Sequence, residues 1–332
     1  MLIADGWELC MKAVYIERTG GPEVLTLGEQ PTPEPEAREV LVKVAASGVN
    51  FTDLNLRSGI NKASLPAVMG SEGAGTVEHV GSGAAGFQVG DRVAWCMVRG
   101  SYAEFAAVPV RVLVRIPQGM GFEQAAAAML QGMTAHYLTH STFPLKSGHT
   151  ALVHAAAGGT GRLLVQIAAM AGARVLANVG TPAKAELART AGASDTILYD
   201  EVDWVSEVKR LTGGEGVDVI YDSVGKATFQ KGFDCLKPRG MMVHYGVSSG
   251  PTEPFDTRTL TAKGSIFLAR PTLNTHIAKP EELAWRSGDV FRWITQGQLE
   301  LRIDREYPLA DAAQAHRDME ARRTTGKLLL RV

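Results

Sequence analysis

The sequence has few cysteines. Cys10, Cys96 and Cys235 are the only three in 332 residues, and no two of them form a Cys-x-x-Cys pair. Three cysteines so far apart exclude a disulfide framework, and without a Cys-x-x-Cys pair nothing suggests a zinc site. Because disulfides are rare in reducing compartments, this composition is typical of a cytoplasmic protein.

Excess charge and long apolar runs are also missing. The 34 lysines and arginines nearly balance the 35 aspartates and glutamates, which leaves a net charge of −1. The sequence therefore gives no general electrostatic reason to expect a nucleic acid or an anionic membrane as a partner. Its longest apolar stretches are shorter than the ~18 residues that span a bilayer, so membrane insertion is not expected.

The residues that are present indicate an ordered globular chain. Hydrophobic residues make up 45% of the sequence and charged residues 21%, whereas disorder requires fewer apolar residues and more net charge. At about 150 residues per domain, the length predicts roughly two domains.

The sequence pattern changes along the chain. Residues 11–125 alternate short apolar segments with glycine-rich turns, which predicts a mostly β lobe. Between residues 150 and 268, six apolar strands alternate with amphipathic helices. This alternation predicts an α/β fold built on a doubly wound parallel sheet. After residue 270 the alternation stops, and the pattern predicts helices near 281–295 and 310–322 and a strand at 327–332.

These changes divide the chain into four segments. We expect a leader or an alternative-start extension at residues 1–10, before the second methionine, and the first part of a catalytic domain at 11–130. A dinucleotide-binding domain is expected at 131–270. Residues 271–332 are expected to return to the catalytic domain and complete it. A short extension packed on the surface is the alternative interpretation of residues 1–10.

A glycine-rich turn follows the first strand of the α/β region, in the sequence LVHAAAGGTGRLL. Residues 158–161 of this turn open a helix, where glycines let the backbone approach a pyrophosphate bound by free helix N–H groups. The spacing is not a strict Gly-x-Gly-x-x-Gly, because Ala156 takes the place of the first glycine. The strand before the turn and the amphipathic helix after it still favour dinucleotide binding over a tight turn alone.

The end of the second strand indicates which dinucleotide binds. An NAD site usually has Asp or Glu there, about 20 residues after the glycines, to hold the ribose hydroxyls. Here Gly180, Thr181 and Lys184 follow the strand, and no acid stands at its end. Thr181 is a good helix N-cap, and a lysine in the first turn of that helix fits a 2′-phosphate. The sequence therefore favours NADP, and a capped surface helix with a solvated lysine is the alternative.

Eight segments of the sequence resemble the zinc-independent quinone oxidoreductases, a zeta-crystallin-like family of the medium-chain dehydrogenase/reductase superfamily. They are GGPEVL, GVNFTDLNLRSG, GSEGAGTVEHVGSG, VGDRV, HAAAGGTG, GTPAK, YDSVG and DCLKPRG. The resemblance covers about residues 12–332. It implies a GroES-like catalytic domain, a Rossmann domain, reduction of a quinone by NADPH, and an oligomer that is usually a homodimer.

The resemblance also implies the site residues. Catalytic or substrate-orienting roles fall on Asn50, Asp53 and Arg270, with Asn50 donating a side-chain N–H to an acceptor oxygen. Contacts with NADPH fall on Asn50, Phe51, Gly158, Gly159, Thr160, Gly161, Gly180, Thr181, Lys184, Tyr199, Ser223, Tyr245, Gly246, Val247, Ser248, Phe267, Leu268, Arg270 and Arg322. Among these, Lys184, Tyr199 and Arg322, the last from the final helix, are expected at the 2′-phosphate.

Several of these residues have purely structural alternatives. Asn50 is also a common turn residue, Asp53 a helix cap, Tyr199 an aromatic residue at a strand end, and Arg322 part of a solvated helix face. The choice between the two interpretations needs the structure.

The sequence departs from the resembled family in ways that bear on acceptor and metal. Asn61 stands where a tyrosine often follows the RSG segment, and His136 is another candidate for the acceptor pocket, which makes that pocket more polar. Zinc-dependent relatives place a cysteine where Asn50 stands and a histidine where Ser71 stands. Because tetrahedral zinc needs three or four nitrogen or sulfur ligands, we expect no metal.

Two other functions stay open on the sequence alone. The first is an NADPH-dependent reductase of activated C=C bonds, such as enones or enoyl thioesters, because fold and cofactor do not fix the acceptor. The second is a non-enzymatic crystallin-like or RNA-binding role. The near-neutral charge and the lack of an interleaved basic and aromatic patch argue against RNA.

Overall fold

The computed structural model describes residues 10–332, which form two compact units. The first unit comprises the chain up to Leu130 together with Ile277–Val332, and the second is Gln131–His276. The leader predicted at residues 1–10 lies outside the described residues except for Cys10, which begins the first strand.

The elements are numbered in chain order. The strands are β1 (Cys10–Ile16), β2 (Thr26–Pro31), β3 (Glu39–Val49), β4 (Ala67–Val68), β5 (Glu72–Val80), β6 (Arg92–Cys96), β7 (Phe105–Pro109), β8 (Val114–Arg115), β9 (Thr150–His154), β10 (Arg174–Val179), β11 (Asp195–Leu198), β12 (Val217–Asp222), β13 (Leu236–His244), β14 (Phe267–Ala269), β15 (Ile303–Pro308) and β16 (Lys327–Arg331). The α-helices are α1 (Phe51–Ser58), α2 (Phe122–Tyr137), α3 (Gly159–Met170), α4 (Pro182–Thr190), α5 (Trp204–Leu211), α6 (Phe229–Gly232), α7 (Arg258–Ala262), α8 (Leu273–His276), α9 (Pro280–Thr295) and α10 (Ala312–Glu320).

The first unit is built on two sheets. One has the order β2-β1-β4, and the other has the order β15-β16-β3-β5-β6-β8, with β7 also pairing with β3. β16 pairs antiparallel with β3, so the last strand of the chain extends the sheet formed by the early strands. Alternating residues of β3, among them Val40 and Val42, point into a fully buried apolar core with Trp95.

Helix α1 was not predicted by the strand-and-turn pattern of residues 11–125. Its start is marked by Asn50 as N-cap, and the carboxylate of Asp53 accepts a hydrogen bond from the Asn50 N–H at 2.9 Å. Its end is marked by Gly59, which has a φ of 85° and adopts the left-handed conformation that favours glycine. With only eight residues, α1 is too short to show a clear helical period between the strands, so only these capping residues mark it in the sequence.

The second unit contains one six-stranded sheet with the order β11-β10-β9-β12-β13-β14. All neighbouring strands in it are parallel. The predicted doubly wound sheet is therefore confirmed. The strand order reverses between β9 and β12, and ligands of such folds bind at the carboxyl ends of the strands near this switch point.

None of the helices in the described part of the chain combines the length and hydrophobicity needed to cross a bilayer.

Candidate functional site

The glycine-rich turn connects β9 to α3 at the switch point of the sheet. Ala155 follows β9 with a φ of 51°, an uncommon conformation for a residue other than glycine, and turns the chain sharply. Gly158 is the N-cap of α3, and no side chain caps this helix within residues 10–332. The N–H groups of the first turn therefore point out of the helix start, as an anion site requires.

Two glycines of this turn are required by close neighbours. A Cβ atom at Gly161 would overlap the carbonyl oxygen of Ala155, so only glycine allows the turn to fold back against the helix. A Cβ atom at Gly159 would instead overlap the side-chain amide of Gln131, a buried residue of α2. Gln131 was not predicted as a neighbour of the turn.

A second cluster forms where β10 and β11 end. The hydroxyl of Thr181 accepts a hydrogen bond from the Lys184 N–H at 3.3 Å, which caps α4 as predicted. A Cβ atom at Gly180 would lie 2.8 Å from the hydroxyl oxygen of Tyr199 and 3.3 Å from a carboxylate oxygen of Asp200. The fold thus brings Gly180 and Tyr199 together beside the start of α4.

Asp200 was missed by the sequence analysis. An acid that marks an NAD site is expected at the end of the second strand, whereas Asp200 follows the third strand, β11, and is exposed. Its carboxylate still lies at Gly180 because parallel neighbouring strands bring their carboxyl ends to the same edge. A negative charge is therefore present beside the cluster in which Lys184 was predicted to bind a phosphate.

Asp222 shapes the loop that follows β12. Its Oδ1 atom accepts three hydrogen bonds from this loop, from the N–H groups of Val224 and Gly225 and from the hydroxyl of Thr228, at 2.8, 3.1 and 2.8 Å. An Asp that accepts hydrogen bonds from the backbone that follows it is a common turn device.

The loops after β12 and β13 are joined through Ser223. Its carbonyl accepts a hydrogen bond from the Ser248 N–H at 3.0 Å, and a Cβ atom at Gly246 would lie 2.7 Å from the same carbonyl oxygen. Gly246 is therefore needed for the close approach of the two loops. This contact brings together three of the residues predicted to bind the cofactor.

A row of buried polar side chains crosses the sheet beneath these loops. Asn178, His154, Asp222 and His244 lie at or next to the ends of four adjacent strands, and Asn178 is in register with His154 and Asp222 with His244. The Asn178 amide lies 3.1 Å from Nδ1 of His154, and Nδ1 of His244 lies 3.5 Å from Oδ2 of Asp222. Burial lowers the pKa of His154. Burial alone would raise the pKa of Asp222, but interactions with His244, His154 and Thr228 hold it below its usual value.

The remaining predicted residues of the second unit lie at or near the ends of β13 and β14. The Arg270 guanidinium donates a hydrogen bond to the His244 carbonyl at 2.9 Å, and burial lowers the pKa of Arg270. The Tyr245 hydroxyl is buried, which raises its pKa. Phe267 and Leu268 are exposed on β14, the edge strand of the sheet.

In the first unit, Asn50 is held by a buried ion pair. Its Nδ2 atom donates to Oε2 of Glu72 at 2.8 Å and faces the Gly48 carbonyl at 3.3 Å, while its Oδ1 atom accepts from Nζ of Lys327 at 2.8 Å. Lys327 and Glu72 also pair directly, and both are buried. A Cβ atom at Gly48 would lie 2.8 Å from the Lys327 ammonium, so a glycine there leaves room for the pair.

This geometry corrects the predicted role of Asn50 as a donor to an acceptor oxygen. A carboxamide has two N–H hydrogens, and those of Asn50 are directed to Glu72 and Gly48. The side chain is a fixed part of a polar network, and its Oδ1 atom is also engaged.

The structure gives Asp53 the helix-capping contacts that were named as its alternative role. Oδ2 accepts from the Asn50 N–H, and Oδ1 accepts from the Ser71 hydroxyl at 2.7 Å. Burial raises the pKa of Asp53 to about 6, against the lowering effects of these two hydrogen bonds and of Lys327. Both carboxylate oxygens of Asp53 are engaged within the first unit, and its catalytic role stays a prediction.

Arg322 does not belong to the last helix, contrary to the prediction. α10 ends at Glu320, and Arg322 follows in the left-handed region with a φ of 56°. Phe51, the first residue of α1, is 41% exposed, so its ring is available for contacts outside the first unit's core.

Within residues 10–332, no group of three or more His, Cys, Asp and Glu side chains is arranged to hold a metal ion. The absence of a metal from the protein stays a prediction.

Comparisons with known proteins agree with this geometry. Residues 36–118 match the alcohol dehydrogenase GroES-like domain, and residues 159–278 match the zinc-binding dehydrogenase domain. The quinone oxidoreductase of Pseudomonas aeruginosa is 43% identical over 321 residues, 96% of this chain and 99% of the relative. The chain belongs to the quinone oxidoreductase family. The resemblance stated from the sequence is thereby confirmed, as is the combination of a Rossmann sheet with a GroES-like domain.

Two further similar proteins bear on cofactor and substrate. The crystal structure of the Escherichia coli quinone oxidoreductase complexed with NADPH has a TM-score of 0.95 and 39% identity, covering 97% of this chain and 100% of that one. A 2-haloacrylate reductase of Burkholderia is 39% identical over 326 residues, 96% of this chain and 98% of the relative.

Besides Asp200, four residues important to these sites were not predicted from the sequence: Gln131, Asp222, Glu72 and Lys327. Asp222 had a local signal, because an Asp at a strand end followed by Ser-Val-Gly is typical of a turn. The other three had none, since their partners lie far away in the sequence.

Proposed function

We propose that the protein reduces quinones with NADPH as the reductant. The observation that carries this proposal is the cluster of Gly180, Thr181, Lys184 and Tyr199 at the start of α4, where a 2′-phosphate would find a lysine, a hydroxyl and a helix N-terminus. The similarity to quinone oxidoreductases, one of them solved with NADPH, supports both the reaction and the cofactor.

The glycine turn fits the pyrophosphate of such a cofactor. Gly159 and Gly161 keep side chains away from the start of α3, and the uncapped N–H groups there suit an anion. We assign the pyrophosphate to Gly158, Gly159, Thr160 and Gly161. Ser223 is assigned to the adenine side, and the nicotinamide end is assigned to Tyr245, Gly246, Val247, Ser248, Phe267 and Leu268.

When bound, the nicotinamide supplies the reducing equivalents for the acceptor. The protein's own contribution is to bind and orient the reactants. We keep Asn50 and Phe51 as contacts of the nicotinamide. The Asn50 side chain, fixed by its hydrogen bonds to Lys327 and Glu72, would make van der Waals contact with the ring. Arg270 is kept as the residue that stabilises developing negative charge, from a position fixed by its hydrogen bond to the His244 carbonyl. Arg322 is kept as a contact of the 2′-phosphate.

The need for glycine at position 159 can be separated into two causes. We expect Gly159→Ala to abolish detectable NADPH binding, because a Cβ there meets Gln131 and also narrows the approach of a pyrophosphate. The contact with Gln131 should also lower the folding stability of Gly159→Ala. In the double variant Gly159→Ala/Gln131→Ala this contact is absent, so folding stability should return to that of the parent while NADPH binding stays lost. Fluorescence titration with NADPH and thermal unfolding measure the two effects. Recovery of NADPH binding in the double variant would assign the glycine to packing against Gln131 alone.

The acceptor is tested by measuring NADPH oxidation with ortho-quinones, para-quinones, an enone and 2-haloacrylate under the same conditions. We expect kcat/KM for the best quinone to exceed that of either activated alkene at least tenfold. The reverse order would support the second candidate, a reductase of activated C=C bonds, which the similarity to a 2-haloacrylate reductase favours. No oxidation of NADPH by any quinone would contradict the proposal.

We further propose that the protein acts as a homodimer in the cytoplasm and uses no metal. The position of β14 at the edge of the six-stranded sheet supports self-association, because a sheet edge offers unpaired backbone N–H and C=O groups to a second copy of the chain. The three free cysteines, Cys10, Cys96 and Cys235, suit a reducing compartment.

A further inference from the structure

A chain of buried polar side chains crosses the apolar core of the first unit and ends at Asn50. Nδ1 of His316 lies 3.4 Å from a guanidinium nitrogen of Arg57, and its Nε2 lies 3.3 Å from the Tyr102 hydroxyl. The same hydroxyl lies 3.3 Å from Oδ2 of Asp53, which accepts the Asn50 N–H. Arg57 also pairs with Glu320, at the outer end of the chain.

All hydrogen bonds in this series of side chains run in one direction, from Arg57 towards Asp53, because of the donors that the series contains. A guanidinium group only donates hydrogen bonds, so Nδ1 of His316 must accept and the ring hydrogen lies on Nε2. Nε2 then donates to the oxygen of Tyr102, and the Tyr102 hydroxyl donates to Asp53. Burial and the charge of Arg57 lower the pKa of His316 to about 3, so the neutral ring that this order requires is the stable form.

The chain ends at the first turn of α1. Asp53 can hold the Asn50 N–H only while its own position is fixed, and its oxygens are fixed by Ser71 on one side and Tyr102 on the other. Phe51 directly follows Asn50 in the sequence. The backbone that carries both proposed contacts of the nicotinamide is thus tied to side chains more than 250 residues away.

We propose that Tyr102 and His316 are positioning residues for the reduction, acting through Asp53 to hold Asn50 and Phe51 in place. This inference rests on the proposed function, because it needs those two residues to contact the nicotinamide. Neither Tyr102 nor His316 is exposed, so both act at a distance from the reactants.

The test compares two Tyr→Phe variants in the same unit. Tyr102→Phe removes the hydroxyl that reaches Asp53, and the control Tyr307→Phe removes a buried hydroxyl that donates to Asp318 at 2.7 Å, outside the chain. We expect Tyr102→Phe to lower kcat about tenfold with less than a twofold change in KM for NADPH. Tyr307→Phe should leave kcat within twofold of the parent. Equal losses in the two variants, or a parental kcat in Tyr102→Phe, would overturn the proposal.

The pH profile gives a second readout that a loss of packing would not move. Asp53 is faced by Ser71, Tyr102 and Asn50 and by the charges of Lys327 and Glu72, and only the Tyr102 hydroxyl is changed. Loss of this donor raises the pKa of Asp53 further, so the acidic limb of the kcat profile should move to higher pH in Tyr102→Phe. An unmoved limb would count against the proposal.

His316 allows a rescue experiment. A glutamine can accept from Arg57 and donate to Tyr102, whereas a leucine can do neither. We expect His316→Gln to keep at least half of the parental kcat and His316→Leu to fall as far as Tyr102→Phe. Equal activity of the glutamine and leucine variants would show that the hydrogen bonds of His316 to Arg57 and Tyr102 do not matter for the reduction.

Hydrogen exchange separates this inference from the proposed function. In Tyr102→Phe, amides of residues 50–56 should exchange faster than in the parent, and in Tyr307→Phe they should not. A parent that fails to reduce quinones would contradict the proposed function, yet this exchange pattern would still support the positioning role. Unchanged exchange would overturn the positioning role whatever the activity.

Discussion

Replacing Lys184 by alanine is expected to weaken NADPH binding about ten- to a hundredfold and to leave NADH binding almost unchanged. A charge-assisted hydrogen bond contributes roughly 1.5–3 kcal/mol, and each 1.4 kcal/mol corresponds to about a factor of ten in affinity. Lys184 lies in the first turn of α4, where its charge and the helix N-terminus both favour a phosphate. NADH lacks this phosphate, so general destabilisation of the protein cannot produce the same pair of results.

Asp200 provides the matched control for Lys184. Its carboxylate lies beside Gly180 and repels a phosphate bound there, so Asp200→Asn should strengthen NADPH binding severalfold and again leave NADH unchanged. Fluorescence titrations of both cofactors against the parent and the two variants measure the effects, and the gain in Asp200→Asn should shrink as salt is added. Equal losses of NADH and NADPH in Lys184→Ala, or a parent that prefers NADH, would contradict the NADP assignment.

The fold class could be predicted because its signals are local and repeated. Six apolar strands alternating with amphipathic helices determine a parallel sheet almost regardless of detail, and β10 ends at Val179 where the pattern placed it. The same holds for the cap of α4, since Thr181 and Pro182 are neighbours of the helix that they start. Helix α1 was missed because its eight residues are too few for a clear period.

The site was predictable only where its residues follow one another in the chain. The glycine turn and the cluster at Gly180 come from consecutive residues at strand ends. Glu72 and Lys327 are 255 positions apart and meet only because β16 pairs with β3 and β3 with β5. Neither residue type suggests burial, since charged side chains are almost never fully buried unless paired.

The same distance explains the wrong role given to Asn50. The resemblance named Asn50 as a residue of the nicotinamide site. The hydrogen-bonding partners of its side chain, Glu72 on β5 and Lys327 on β16, lie far from position 50 in the sequence. The Asn50 side-chain amide, which was expected to donate to an acceptor oxygen, therefore donates to Glu72 in the folded protein.

The ion pair that engages Asn50 leads to the largest expected loss of stability. Lys327→Met is expected to lower the free energy of unfolding by about 3–5 kcal/mol, because it leaves the buried carboxylate of Glu72 without its countercharge. This is a large part of the roughly 5–15 kcal/mol by which a native protein is stable. Asn50 still donates to Glu72 in the variant, but a neutral amide does not replace the ammonium. Urea unfolding of parent and variant, with equal m-values, measures the difference.

The double variant Lys327→Met/Glu72→Gln identifies the cause of that loss. Glutamine keeps one oxygen, which can accept from Asn50 or from the Leu130 N–H, and methionine keeps the length and apolar stem of lysine, so little packing is lost while both charges are removed. Replacing a buried ion pair by neutral groups of similar volume is often close to neutral, because the pair itself was costly to desolvate. We therefore expect the double variant to regain most of the stability lost in Lys327→Met, and Glu72→Gln alone to be destabilised like Lys327→Met, since it leaves an unpaired ammonium. A double variant whose loss equals the sum of the two single losses would show that lost packing, not an unpaired charge, destabilises the first unit.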